Sequence, residues 1–347
     1  ISLIQAWVGS GVDSRALHQH LDRCLGCLAC ESACPSGVQY GELIDGARAL
    51  DHRSESLWRG TLLKMASGLP YRESTGKLLQ LLQRSGLTRL ARWGPGGLRR
   101  LSNLLPALDS AAPLKPLYPA TGGRRASVGL FTGCVARITE RSAMDAAIRV
   151  LNLLGIDVVV PPGQRCCGAM HLHSGNTRAA EHLADINRQA FGTEPLDAVL
   201  YLASGCGAQL EDYGRFGGTL NAPCKEISRY LDTIDWPETL EIKSLDRRVL
   251  VHGPCSLRHT LKGEQGPGKL LARIPGIDLT PMPDVGCCGA AGSYLVSQPT
   301  TSDALRRRTL DAVWDDNPEI LVTSNTGCAL HIAAGLREDG LLVEVMH

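Results

Sequence analysis

Through the last two thirds of the chain, short apolar runs alternate with longer segments of helical periodicity. Residues 127–131 (SVGLF), 157–160 (DVVV) and 198–202 (AVLYL) read as buried strands, mostly apolar and too short for helices. Between them, residues 139–154 carry apolar side chains at helical spacing and stop at Gly155, and residues 176–191 form a second helical segment. The plan then recurs: a strand at 248–252 (RVLVH), a helix around 268–274, a helix at 300–316 and a strand at 319–323. Strands alternating with helices predict an α/β fold with parallel sheets, whose strands end on one common edge.

The cysteines keep the register of this recurrence. Cys134 lies 121 residues before Cys255, Cys166 lies 121 before Cys287, Cys167 lies 121 before Cys288, and Cys206 lies 122 before Cys328. Chance does not hold four cysteines in order over units of this length, so the sequence contains a duplicated domain. Each cysteine follows a strand or a strand-like run, so each quartet is expected to converge at one rim of its sheet. Adjacent side chains of an extended segment point to opposite faces. A tight loop freed by Gly168 or Gly289 can instead aim both members of a Cys-Cys pair at one centre. An iron–sulfur cluster with several irons uses two neighbouring thiolates more readily than one tetrahedral zinc does. Buried structural thiols and a strained vicinal disulfide are the alternatives.

A second pattern stands near the start. CLGCLACESACP places Cys24, Cys27, Cys30 and Cys34-Pro35 at the bacterial ferredoxin spacing for a [4Fe–4S] cluster, in which the fourth cysteine serves the other cluster of a pair. One such run is present. Cys24, Cys27 and Cys30 are therefore expected on one cubane whose fourth ligand comes from elsewhere, a run before Ile1 being one source. Cys34 is expected to complete a second cubane.

Composition narrows the reading. Thirteen cysteines in a chain showing no secretory signal point to metal rather than disulfides, and to the cytoplasm. No apolar run approaches the roughly 20 residues of a membrane span. A net charge of +1 gives no global reason to bind nucleic acid. Charge is nevertheless segregated: residues 53–125 hold 13 Lys plus Arg against Glu55, Glu73 and Asp109, leaving −9 for the remainder. The expected division is a ferredoxin-type region at 1–52, a basic helical linker at 53–126, and repeats at 127–245 and 246–347. The linker carries short amphipathic helices at 78–82 and 98–105. Docking to an anionic membrane surface or an acidic partner stands there beside plain solvation. Cys224, opposite Val345 in the repeat, reads as a buried free thiol. His171, His173, His252 and His259 read as packing or solvated residues, with a hydrogen bond to sulfur as the alternative. Arg306-Arg307-Arg308 reads as a solvated helix face. There is no G-x-G-x-x-G after a strand, no Walker A loop, no G-x-S-x-G elbow and no H-E-x-x-H. Cluster ligands without a nucleotide or flavin fingerprint describe an electron conduit whose two-electron chemistry sits on a partner.

The stretches HLDRCLGCLACESACPSGVQY, FTGCVAR, RCCGAMHLHSG, ASGCGA, HGPCSL, CCGAAGSY and TSNTGCALHI resemble, over nearly the whole chain, the glycolate oxidase iron–sulfur subunit family. The resemblance implies a duplicated cysteine-rich CCG domain preceded by a helical ferredoxin-type region. It implies an electron-transfer subunit of a complex oxidising glycolate, D-lactate or another 2-hydroxy acid, with FAD on partner flavoprotein subunits. The chain alone would not oxidise the substrate. Electrons would pass to a respiratory quinone or another acceptor, in the cytoplasm or at the cytoplasmic face of the inner membrane. One cluster is expected at Cys134, Cys166, Cys167 and Cys206 and one at Cys255, Cys287, Cys288 and Cys328, with zinc at one of them as the alternative. That family has two ferredoxin runs, and ISLIQ resembles the segment following the first. Related heterodisulfide reductase subunits end each CCG unit with Cys-x-x-Cys. Here Cys206 is followed by Gly207-Ala208-Gln209 and Cys328 by Ala329-Leu330-His331. This departure weakens the alternative function, a thiol–disulfide reductase acting at a CCG cluster, while leaving four thiolates per unit.

Overall fold

A computed structural model describes residues 1–51, 57–68, 71, 73–88, 94, 96–108 and 112–347; the expected boundary after residue 52 lies outside them. The first sheet is built from β1 (Leu117–Tyr118), β2 (Ala126–Phe131), β3 (Ile156–Val159), β4 (Ala198–Tyr201) and β5 (Cys224–Glu226). The second comprises β6 (Arg248–His252), β7 (Asp278–Pro281), β8 (Ile320–Thr323) and β9 (Glu344–Met346). Their orders are β1-β3-β2-β4-β5 and β7-β6-β8-β9. Every pairing is parallel except β1 with β3. Leaving β1 aside, the two orders are the same under the internal repeat. The α/β duplication expected from the cysteine register is the fold observed.

Helices cover both faces of the first sheet, which is why β2 is buried from Ser127 to Phe131 without alternation. Helix Arg141–Leu153 turns Met144, Ala147, Ile148 and Leu151 inward at helical spacing, and Gly155 ends the segment with φ +79°. The expected helix from residue 139 is interrupted at Glu140, so that Ala136–Thr139 forms a separate short turn. Helix Thr177–Phe191 begins at Asn176, whose side chain accepts from the Ala179 N–H at 3.0 Å. Strands β5, β7 and β9 (CKE, DLTP, EVM) carry no apolar run and were not signalled by periodicity; all three are sheet edges. Cys224 lies on β5 opposite Val199, and Val345 lies on β9 opposite Leu321. Cys224 is half-buried rather than buried, because an edge strand is covered on fewer sides.

The amino-terminal region packs helices Arg15–Arg23 and Tyr40–Leu50 around Leu17, Leu21, Ile44 and Ala47. It leans on both repeats. Gly175, at φ +86°, lets the first repeat approach the Arg48 carbonyl so closely that a Cβ would sit 2.3 Å from its oxygen. On the other side, the Tyr294 hydroxyl donates to the Arg23 carbonyl at 3.1 Å.

Helix Glu73–Arg84 contains the first short helical segment expected in the linker, and helix Gly96–Leu104 covers the second up to its last residue, Leu105. Part of the linker's positive charge is matched within the chain. Arg100 pairs with Asp303 at 2.8 Å. Arg306 departs from its expected solvated position. Gly335 allows helices Pro299–Asp316 and Thr326–Glu338 to pack so closely that the Arg306 side chain is largely enclosed and pairs with Glu338 at 2.6 Å. Arg307 remains on the surface, paired with Asp339 at 2.7 Å.

Candidate metal centres

Each quartet draws on the carboxyl ends of three neighbouring strands. Cys134 follows β2, Cys166 and Cys167 follow β3, and Cys206 lies in helix Ser204–Glu211 after β4. β2 lies between the other two, and adjacent strands are about 4.8 Å apart, so the three ends fall within reach of one another. Cys166 Sγ lies 3.5 Å from Cys134 Sγ. The second unit repeats this after β6, β7 and β8: Cys255 Sγ is 3.9 Å from Cys287 Sγ, and Cys288 Sγ is 2.9 Å from Cys328 Sγ.

The glycines after each Cys-Cys pair do what the local geometry demands. Gly168 has φ +92° and Gly289 φ +87°. A Cβ would meet Ala180 Cα and O at 3.2 Å in the first unit and the Ser302 carbonyl oxygen at 2.5 Å in the second. Left-handed backbone and close approach together require glycine there.

The thiols dominate one another's chemistry. Cys134 is pushed well up by its hydrogen bond with Cys166 and then by burial. Cys288 is pushed up by hydrogen bonds with Cys287 and Cys328 and by burial. Cys287 is held low instead, chiefly by hydrogen bonds from Cys255 and Cys288. Several buried thiols crowded together cannot all ionise without compensating positive charge, which iron held by them would supply. The donor set, four thiols per unit and no carboxylate, suits a sulfur-ligated iron cluster. Among the described residues, no three His, Cys, Asp or Glu side chains are arranged to hold a single metal ion.

The ferredoxin run is brought against the second quartet. Gly26 (φ +66°) and Leu28 (φ +58°) turn the chain between its cysteines. Cys27 is pushed up first by burial, and the charges of Cys287, Cys24 and Cys30 add to this. Cys255 in turn feels Cys27. Cys34 is held low by backbone N–H groups of Val38, Ser36 and Gly37. The Arg48 guanidinium ties down the loop start by donating to the carbonyls of Leu21 at 2.8 Å and Cys24 at 2.6 Å.

Several supporting residues carried no sequence signal. Tyr71, from the linker, covers the first quartet: its hydroxyl donates to the Gly133 carbonyl at 2.7 Å, and Arg137 and Arg165 each lie 5.4 Å from its ring centre. Buried Asn187 donates to the Cys166 carbonyl at 3.1 Å, and the Tyr213 hydroxyl donates to the Cys167 carbonyl at 2.9 Å. Buried Gln164 accepts from the Thr132 N–H at 2.8 Å, joining the β2 and β3 loops. Between the repeats, Ser204 Oγ and Ser256 Oγ lie 2.8 Å apart, and Asn325 Nδ2 donates to each at 3.2 Å. The nearby histidines bond to oxygen: His171 to Ser67, His173 to Asp45 and His252 to Thr323.

Comparison with known proteins agrees with this arrangement. Residues 128–211 and 249–333 each match the cysteine-rich domain family, and residues 19–40 match the 4Fe-4S binding domain family. The chain is 31% identical to the probable glycolate oxidase iron-sulfur subunit of Bacillus subtilis, over 94% of this chain and 79% of that one. It belongs to the glycolate oxidase iron–sulfur subunit family. The Escherichia coli glycolate oxidase iron-sulfur subunit is 32% identical, over 92% of this chain and 79% of that one. A fumarate reductase (CoM/CoB) subunit of Methanothermobacter marburgensis is 35% identical over 62% of this chain and 43% of its own length. The chain is thus an electron-transfer, iron–sulfur subunit of an oxidoreductase complex.

Proposed function

We propose that the chain takes electrons from an FAD-containing flavoprotein partner that oxidises a 2-hydroxy acid, and delivers them to a quinone or other respiratory acceptor. [4Fe–4S] clusters at Cys24, Cys27 and Cys30 and at the two quartets would supply one-electron transfer, with Cys34 serving a further cubane. The observation that carries the reading is the packing of the ferredoxin run on the second repeat, where Ser32 Oγ donates to the His259 carbonyl at 3.5 Å and Cys27 lies within electrostatic reach of Cys255 and Cys287. The residues' own work is to hold and shield these sites. The Cys-Cys-Gly loops aim the paired thiols inward, Asn187 and Tyr213 fix the carbonyls behind them, and Tyr71 keeps water from the first quartet. Among the described residues no helix is long and apolar enough to cross a membrane. Exposed Leu78, Leu81 and Leu87 in the basic linker supply a surface for a partner or for peripheral contact with an anionic membrane.

Iron, zinc and acid-labile sulfide analysis of anaerobically purified protein tests the reading. The expected result is iron and sulfide well above one cubane per chain. Zinc together with no more than one cubane's iron would overturn it, leaving zinc as the filling of a quartet.

A further inference from the structure

Between the ferredoxin region and the two repeats lies a cleft that touches the second cysteine group at one residue. Its volume is about 380 Å³, inside the ~300–1,000 Å³ range of small-molecule sites, which favour such domain junctions. Cys255 is the one cysteine among its described lining residues, so the cleft lies beside the second quartet rather than over it. Leu28, Ile44 and Leu172 give it apolar walls. Glu31, Glu42, Asp45, Glu211 and Asp212 outnumber Arg215 in its lining, a balance that disfavours an anionic ligand such as a hydroxy acid.

Two polar features define what fits. Gln209 lines the cleft at 4% exposure, and its buried amide nitrogen has no hydrogen-bond partner. Buried donors of this kind ordinarily have a partner, and a ligand carbonyl oxygen would be one. His173 also lines the cleft. Its Nδ1 is 3.0 Å from Oδ1 of buried Asp45, whose other oxygen lies 3.3 Å from Arg215, while about half of the His173 side chain is open to solvent. An imidazole held in this way can pass protons from water into the cleft.

We infer that this cleft binds the terminal electron acceptor, and that the acceptor is a neutral quinone ring. The inference rests on the electron-carrying role proposed above. Oxidation of the hydroxy acid on the flavoprotein releases two electrons and two protons. The quinone takes two electrons by way of the second quartet and two protons from water through His173, giving the hydroquinone. Gln209 is a positioning residue for the ring carbonyl.

The test uses the complex purified with its flavoprotein partner, with menadione as the probe and ferricyanide as an acceptor that needs no cleft. For Gln209→Leu, the KM for menadione should rise about tenfold, as should the Kd for menadione in equilibrium dialysis, the loss of about 1.4 kcal/mol. The kcat and the line shape of the reduced-cluster EPR signals should be retained. His173→Gln should lower kcat with menadione more than it changes KM. An unchanged KM in Gln209→Leu, or menadione and ferricyanide rates falling in equal proportion with altered EPR signals, would overturn the assignment. Wild-type complex that reduces ferricyanide but neither binds nor reduces menadione would overturn it too, leaving the conduit standing. Wild-type complex that oxidises hydroxy acid without reducing any cluster would remove the underlying reading.

Discussion

The two repeats present the same cysteines at the same strand ends, yet different neighbours close over them. In the first, Tyr71 lies across the quartet between two guanidinium groups, and Asn187, Tyr213 and Gln164 tie its loops together. In the second, Thr309 occupies the position of Asn187 with its hydroxyl unpartnered, and Val285 replaces Gln164. There Ser302 steadies the loop by donating to the Gly289 carbonyl at 3.0 Å, and the ferredoxin run packs beside the quartet. Duplication supplied two sets of four thiols. The segment packed on each set made one an enclosed site and the other a junction.

The largest effect should come from removing one thiol in each repeat. Cys288→Ser should cost the iron of the second quartet, abolish magnetic coupling to the ferredoxin cluster in EPR, and lower electron delivery by about a hundredfold or more. Substrate should still reduce the partner's flavin. Cys167→Ser should cost the same amount of iron and leave that coupling in place. Coupling lost in Cys167→Ser and kept in Cys288→Ser would reverse the assignment of junction and enclosed site.

Next in size are the paired glycines. Both substitutions force an alanine into left-handed backbone, but only at Gly289 does the added carbon meet a carbonyl oxygen at 2.5 Å. Urea unfolding should show Gly289→Ala destabilised by about 3 kcal/mol and Gly168→Ala by about 1–2 kcal/mol. Equal costs would mean that both loops relax alike.

A smaller difference lies in pH. Glu140 is pushed up to about 8 by burial, whereas Leu261 holds the equivalent place in the second repeat. Because the folded chain binds this proton more tightly than the unfolded one, the contribution is complete below the ordinary 4.5 and is lost as pH rises towards 8. Glu140→Gln should therefore come close to the parent at pH 4.5 and exceed it by about 4 kcal/mol at pH 8 in denaturant titrations. An equal gain at both pH values would assign the effect to packing.

Much of this molecule can be read from the order of its residues, because the relevant information is local or periodic. Apolar runs such as SVGLF and AVLYL declare central strands, since a strand covered on both faces has no polar side to alternate with. The 121-residue register of the cysteines declares the duplication, and a Cys-Cys-Gly loop can turn only where a glycine takes positive φ. Edge strands β5, β7 and β9 are silent because backbone pairing holds them with little apolar burial. The burial of Arg306 is silent too, because a glycine on another helix, Gly335, decides how closely that face is covered.

Residue order was thus enough to specify the repeat, the register of its cysteines and the succession of helices and central strands. Packing in three dimensions chose which quartet meets Cys27, which one Tyr71 covers, and that Gln209, His173 and Cys255 share a cleft. Those contacts join residues tens to hundreds of positions apart, and no periodic pattern encodes them. They exist because parts of the chain distant in sequence bury surface against one another.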